Sequence, residues 1–179
     1  ASGSSGNCIY VGSDNTHVLV DIGISGKKME TGLNSLELTG RDLDGILITH
    51  EHSDHIKGLG VISRKYGIPI YATAGTVDAM VRTNALGKIP EGIFHEIQEN
   101  EPFMINDLKV NPFTIPHDAS QPVGYRLEHE GHSVGIATDL GKYNDYIIEN
   151  LQGLDALLLE ANHDIRMLQV GKYPYYLKQ

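Results

Sequence analysis

The sequence predicts a single α+β domain over residues 1–179, with β-strands building the core and helices covering them. Three observations point there. A chain of 179 residues is long enough for one substantial core and too short for two generous ones. Apolar runs of strand length recur along it, and between them lie stretches with apolar residues at three- and four-residue spacing. No repeat period and no linker rich in Pro, Ser or charge divides the chain.

In chain order, strands are expected at Cys8–Val11, His17–Asp21, Gly45–Thr49 and Pro69–Tyr71, then at Leu108–Ile115, Val123–His129, Ser133–Thr138 and Ala156–Leu159. Helices are expected in "GLGVISRKYG", "AGTVDAMVRTNA" and "KYNDYIIENL", each with Gly or Asn near an end. The second half reads as consecutive hairpins, and "HEGH" supplies the Gly that a tight reversal needs. The opening "ASGSSGN" has the composition of a flexible loop and leads straight into the first strand. Its free backbone N–H groups suit a phosphate, and equally a tight strand entry.

Composition narrows the function classes. The longest apolar runs fall far short of the roughly 20 residues a spanning helix needs. The start shows no basic stretch followed by an apolar block, so a cytoplasmic location is expected. One cysteine, Cys8, rules out an internal disulfide and a Cys-based zinc cluster, leaving nitrogen and oxygen as metal ligands. A formal charge of -9 argues against broad backbone-driven nucleic-acid binding, although divalent cations in a cleft change that locally.

The chemistry concentrates in "THEHSDHIKG". With 9 histidines in the chain, H-x-H-x-D-H arises by chance roughly once in a thousand such sequences, so scattered surface histidines do not account for it. Alternate side chains of an extended segment point the same way, so His50 and His52 project together while Asp54 and His55 follow at the turn. That arrangement suits two adjacent metals. His117 and Asp139, each following an apolar run, are the candidates for the remaining ligands: His117 joins His50 and His52, and the two carboxylate oxygens of Asp139 bridge both ions. Asp21 in "LVDIG" could fix the tautomer of a ligand His or merely cap the next turn. Cys8 reads as a small core residue, and His17, His95, His129 and His132 as strand or turn residues without partners.

The H-x-H-x-D-H segment with His117 and Asp139 downstream resembles the metallo-β-lactamase superfamily. "ASGSSGN", "VDIG", "IATDLG" and "LLLEANHD" together are similar to its YycJ-type (WalJ) bacterial metallohydrolases over the whole chain. The resemblance implies a four-layer αββα sandwich of two mixed sheets and a nuclease-like phosphodiesterase activity on DNA. By the same resemblance, His50, His52 and His117 hold the first of two divalent metals, Asp54 and His55 the second, with Asp139 between them. Asp54 also orients a bridging hydroxide. Zn, Mn and Fe all suit such ligands.

The family pattern adds another His ligand and a catalytic His in a later "H-L-S" segment that this sequence does not contain. The expectation is therefore a second metal short of one ligand and an incomplete second half, with the C-terminal strand and helix region absent and the natural protein longer. Glu160 and His163 resemble a loop in which a Glu positions a catalytic His in transfer-RNA processing nucleases, and read equally as a helix-start carboxylate and a surface His. The same core also serves glyoxalase II-like thioester hydrolysis and lactone opening, and a metal-binding regulatory domain without turnover is the non-enzymatic alternative. β-Lactam cleavage is disfavoured because Cys8 lies far from the motif.

Overall fold

A computed structural model describes residues 1, 3 and 5–160. Its elements run β1 (Ile9–Gly12), β2 (His17–Val20), α1 (Gly26–Asn34), β3 (Gly45–Leu47), α2 (Ser53–Ile56), α3 (Leu59–Tyr66), β4 (Ile70–Thr73) and α4 (Ala74–Arg82). There follow β5 (Phe94–Ile97), β6 (Phe103–Ile105), β7 (Leu108–Thr114), β8 (Val123–His129), β9 (His132–Ala137), α5 (Asp145–Leu151) and β10 (Ala156–Leu159). One sheet has the order β1-β2-β3-β4-β5 and the other β10-β9-β8-β7-β6. Both are mixed: β1 runs antiparallel to β2 beside three parallel pairs, and β10 runs parallel to β9 beside three antiparallel pairs.

Four layers follow from which residues are apolar on which face. Met29 and Leu33 of α1, Leu59 and Ile62 of α3 and Met80 of α4 pack on Leu19, Ile46 and Ile70, which cover the outer face of the first sheet. Val18, Val20 and Leu47 point the other way and meet Val110, Val123, Tyr125 and Ile136 of the second sheet. On the far side Phe113, Ile115 and Ala137 are covered by Tyr146 and Leu151 of α5. The architecture is therefore helix, sheet, sheet, helix: the αββα metallo-β-lactamase sandwich.

Local signals explain most boundaries. The Asn144 side chain accepts from Ile147 N–H at 3.0 Å and starts α5, and Gly67 ends α3 in the left-handed region at φ 66°. Glu130 and Gly131, both at positive φ, form the two-residue reversal that "HEGH" announces, with His129 paired to His132. Four elements escape the sequence reading, among them the four-residue helix α2, whose residues were read as a turn. The helix α1 buries only Met29 and Leu33 and carries two glycines. Strands β5 and β6 are short edge strands with three of four and two of three residues not buried. None offers enough periodicity for detection. No helix among the described residues is long and apolar enough to cross a membrane.

Candidate metal centre

The site forms where strand ends of the two sheets meet. Central strand β3 is buried along its length and parallel to both neighbours, so its chain leaves the sheet at Ile48 and delivers His50 and His52 to that rim. The short helix α2 then turns Asp54 and His55 back over the end of β2, where Asp21 N–H donates to Leu47 C=O and Ile22 N–H to His55 C=O. A Cβ on Gly23 would stand 1.5 Å from the Asp54 carbonyl oxygen, so only glycine lets α2 settle this close. From the second sheet, His117 follows β7 and Asp139 follows β9, the latter at φ 56°. Tyr125 of β8, wholly buried, donates its hydroxyl to Ile48 C=O at 2.7 Å and clamps the two sheets directly beneath the motif.

Two groups of potential ligand atoms result, His50/His52/His117 and His50/His55/Asp139, with His50 common to both and the atoms of each group within 4.8 Å of one another. The imidazoles crowd: the His50 ring centroid lies 4.0 Å from that of His55, 4.6 Å from His52 and 4.7 Å from His117. His117 Nε2 is 3.2 Å from His52 Nδ1, and His55 Nε2 is 2.8 Å from Asp139 Oδ2. Asp54 stands at the edge, Oδ2 3.8 Å from His55 Nε2, and belongs to neither group. His50 and His55 are fully buried.

Does this cluster fit a cation? His50 Nε2 and Asp139 Oδ2 are buried with no hydrogen-bond partner of acceptable geometry, which is costly unless something positive lies between them. His55 Nε2 is contested as well, by the Asn7 amide nitrogen at 3.0 Å and by Asp139 Oδ2 at 2.8 Å. A proton on that nitrogen satisfies Asp139 and opposes the amide, and a lone pair does the reverse. A divalent ion among nitrogen and carboxylate oxygen donors would give His50 Nε2 and Asp139 Oδ2 a partner, and the donor set suits Zn, Mn or Fe.

Electrostatics differ across the cluster. Burial and the neighbouring His55, His117 and His52 push His50 down to about 2. Burial likewise lowers His117. For His55 burial also pulls down, but the carboxylates of Asp139 and Asp21 prevail and carry it up to about 10. Asp139 ends below its ordinary value, since contact with His55 outweighs its own burial.

Other expected residues fall out as follows. Asp21 takes the tautomer-fixing option: its Oδ2 is 2.7 Å from His55 Nδ1 and it is wholly buried. Glu160 is buried at the end of β10, its N–H on Ala137 C=O two residues before Asp139. His163 lies outside the described residues. Cys8 packs against the helix-side core, and burial pushes its thiol up to about 12, so no thiolate is available to a metal. His17, His95, His129 and His132 are outside the site but do have partners, in Tyr10 Oη, the Tyr71 ring, the Asp107 carbonyl and the Asp155 carboxylate.

Three residues around the site carry no sequence signal of their own. Besides the Asn7 amide already noted at His55, Asn7 N–H donates to Asp54 C=O at 2.7 Å. Glu51, between the two motif histidines, accepts from the Ser120 N–H and hydroxyl and so holds the loop that carries His117. Gln121 secures the same loop to α4 through Gly75 N–H and the Thr73 hydroxyl. In an H-x-H segment the middle side chain points away from the histidines, which is the one hint that Glu51 serves a different neighbour.

Comparison with known proteins agrees with this geometry. Residues 16–171 match the beta-lactamase superfamily domain. Over all 179 residues the chain is 41% identical to exodeoxyribonuclease YycJ of Bacillus anthracis and to exodeoxyribonuclease WalJ of Streptococcus pneumoniae. It spans about two thirds of the length of these relatives, 67% and 66%. Among solved structures, a Zn²⁺-bound PqqB from Methylobacterium extorquens superimposes with a TM-score of 0.75 at 19% identity, over 96% of this chain and 67% of that one. By its matched domain, its relatives and its sandwich of two mixed sheets, the chain belongs to the metallo-β-lactamase superfamily.

Proposed function

We propose that this chain is the metal-bearing part of a hydrolase that cleaves phosphodiesters, with DNA as its substrate and the cytoplasm as its place of action. One observation carries the reading: two ligand groups that share His50, with His50 Nε2 buried and unpartnered where they meet and Asp139 Oδ2 beside it on the contested His55 Nε2. The relatives at 41% identity are named exodeoxyribonucleases, which supports DNA and attack from an end over other esters. Two divalent ions, Zn or Mn with Fe as a further option, would supply Lewis acidity and a water acidified toward neutral pH.

The chain's own residues then divide the work. His50, His52 and His117 form one seat, Asp54 and His55 the other, and Asp139 belongs between them. His55 must give up the proton that Asp139 and Asp21 stabilise before it can bind. Asp54, whose Oδ2 lies 3.8 Å from His55 Nε2, would also orient the attacking water. Glu160, buried beyond the strand end that leads to Asp139, would help position a catalytic group, and His163, the other residue of that loop, lies outside the described residues. A chain of charge -9 accepts a polyanion here because the cations reverse the field at this one place.

The test is hydrolysis of a chromogenic phosphodiester and of linear DNA by the full natural protein with Mn²⁺ or Zn²⁺, alongside elemental analysis. Turnover that a chelator abolishes and that His52→Ala lacks supports the reading. Metal binding without hydrolysis of either substrate would replace it with a non-catalytic metal domain.

A further inference from the structure

An imidazole can present a lone pair to a cation only if its other nitrogen holds the proton, so each buried ligand histidine needs an acceptor behind it. For His55 that acceptor is Asp21 Oδ2, 2.7 Å from Nδ1. Among the described residues, no carboxylate stands behind His50 and its Nδ1 meets only the hydroxyl of Thr49, at 3.0 Å, and that hydroxyl lies 2.8 Å from the same Asp21 Oδ2.

We propose that Thr49 is a positioning residue that ties both inner imidazoles to the single carboxylate of Asp21, directly for His55 and through its own hydroxyl for His50. Proton counting fixes the direction. An ionised carboxylate only accepts, so the one hydroxyl proton of Thr49 goes to Asp21 Oδ2. A lone pair of Oγ1 is then left for the N–H of His50 Nδ1. The third contact of Oγ1, 3.3 Å from His55 Nδ1, is the longest of the set, and that N–H goes to Asp21 instead. His50 is thereby held as the Nδ1–H tautomer with Nε2 open toward the cluster, which is where Nε2 is found, buried and without a partner.

Thr49, His50, His55 and Asp21 are all fully buried, so water cannot replace the hydroxyl. The Thr49 backbone N–H separately donates to Asp21 Oδ1 at 2.9 Å, which leaves the strand ends joined when the side chain is changed. A valine at this position fills nearly the same volume and removes only the relay.

The importance of this tie rests on the metal-centre reading, but its existence does not. Nitrogen-15 shifts of the His50 ring in the metal-free protein should show a single Nδ1–H tautomer, and Thr49→Val should bring in the Nε2–H form while Thr49→Ser preserves the original. Calorimetry with Mn²⁺ or Zn²⁺ should show affinity falling about 10- to 100-fold in Thr49→Val and staying within about threefold in Thr49→Ser. An Nε2–H tautomer in the unaltered chain overturns the proposal whatever the variants do. So does a Thr49→Val protein that melts earlier yet keeps the original tautomer and affinity. If His50 follows Thr49 as described but the unaltered chain binds neither cation, the positioning stands and the proposed function fails.

Discussion

The two ligand groups share His50 yet are built on opposite electrostatics. In His50/His52/His117 every donor is an imidazole, and crowding with burial keeps His50 and His117 below the usual histidine range. In His50/His55/Asp139 a carboxylate lies on each side of His55, and the proton is held up to about 10. His50 and His117 are therefore biased toward the neutral form that binds a cation, while His55 holds a proton that a cation must displace. A metal site can be prepared either by repelling the competing proton or by assembling so much negative charge that a dication outcompetes it.

The largest expected effect comes from breaking what the two groups share. His50→Ala should cost both ions and all hydrolysis, whereas His52→Ala should retain one ion, read by elemental analysis after gel filtration. Retention of a full ion complement in His50→Ala would show that the groups are independent.

Next in size is Asp21→Asn. A buried pair broken at one end loses about 3–5 kcal/mol, and this pair has no exposure on either side. Chemical denaturation of the metal-free protein reads that loss, and metal affinity should fall in both groups, most in the one containing His55, because His50 is also tied to Asp21 through Thr49.

pH sharpens the contrast. His55, raised from about 6.5 to about 10, contributes stability that is complete below pH 6.5 and lost as pH rises toward 10. His50, lowered to about 2, does the opposite: it is buried neutral, so stability falls as pH drops below 6.5, where the unfolded chain takes up the proton. The metal-free protein should be most stable near pH 6.5, and saturating metal should move the optimum upward. Cation binding at pH 7.5 should release about one proton per chain from His55, measured as a buffer-dependent binding enthalpy. Equal enthalpies in buffers of different ionisation heat would remove the distinction between the two groups.

The smallest effect belongs to the scaffold. Tyr125→Phe leaves Ile48 C=O without its donor and should cost about 1–3 kcal/mol, with two-ion binding retained, by thermal melting and elemental analysis.

Much of this was legible in the chain. The eight strands and three helices stand within a few residues of expectation, most of them burying a face that their apolar pattern records. Helix α1 and edge strands β5 and β6 were not legible, since each buries too few residues to leave a pattern. His50, His52, His55, His117 and Asp139 were legible as donors by type and spacing, and the structure brings all five together. Asp54 was read as a donor too; its Oδ2 lies 3.8 Å from His55 Nε2, outside the two close-packed groups.

The sequence by itself determined the donor chemistry: nitrogen and oxygen ligands, no thiolate, and a motif too improbable to be scattered surface histidine. Only the tertiary structure decided which donor begins protonated, since that depends on Asp21 and Asp139 arriving from β2 and β9 to flank one ring. Residue order sets which side chains exist. Proton affinity follows from distance and burial, and those arise only when the two sheets close on each other.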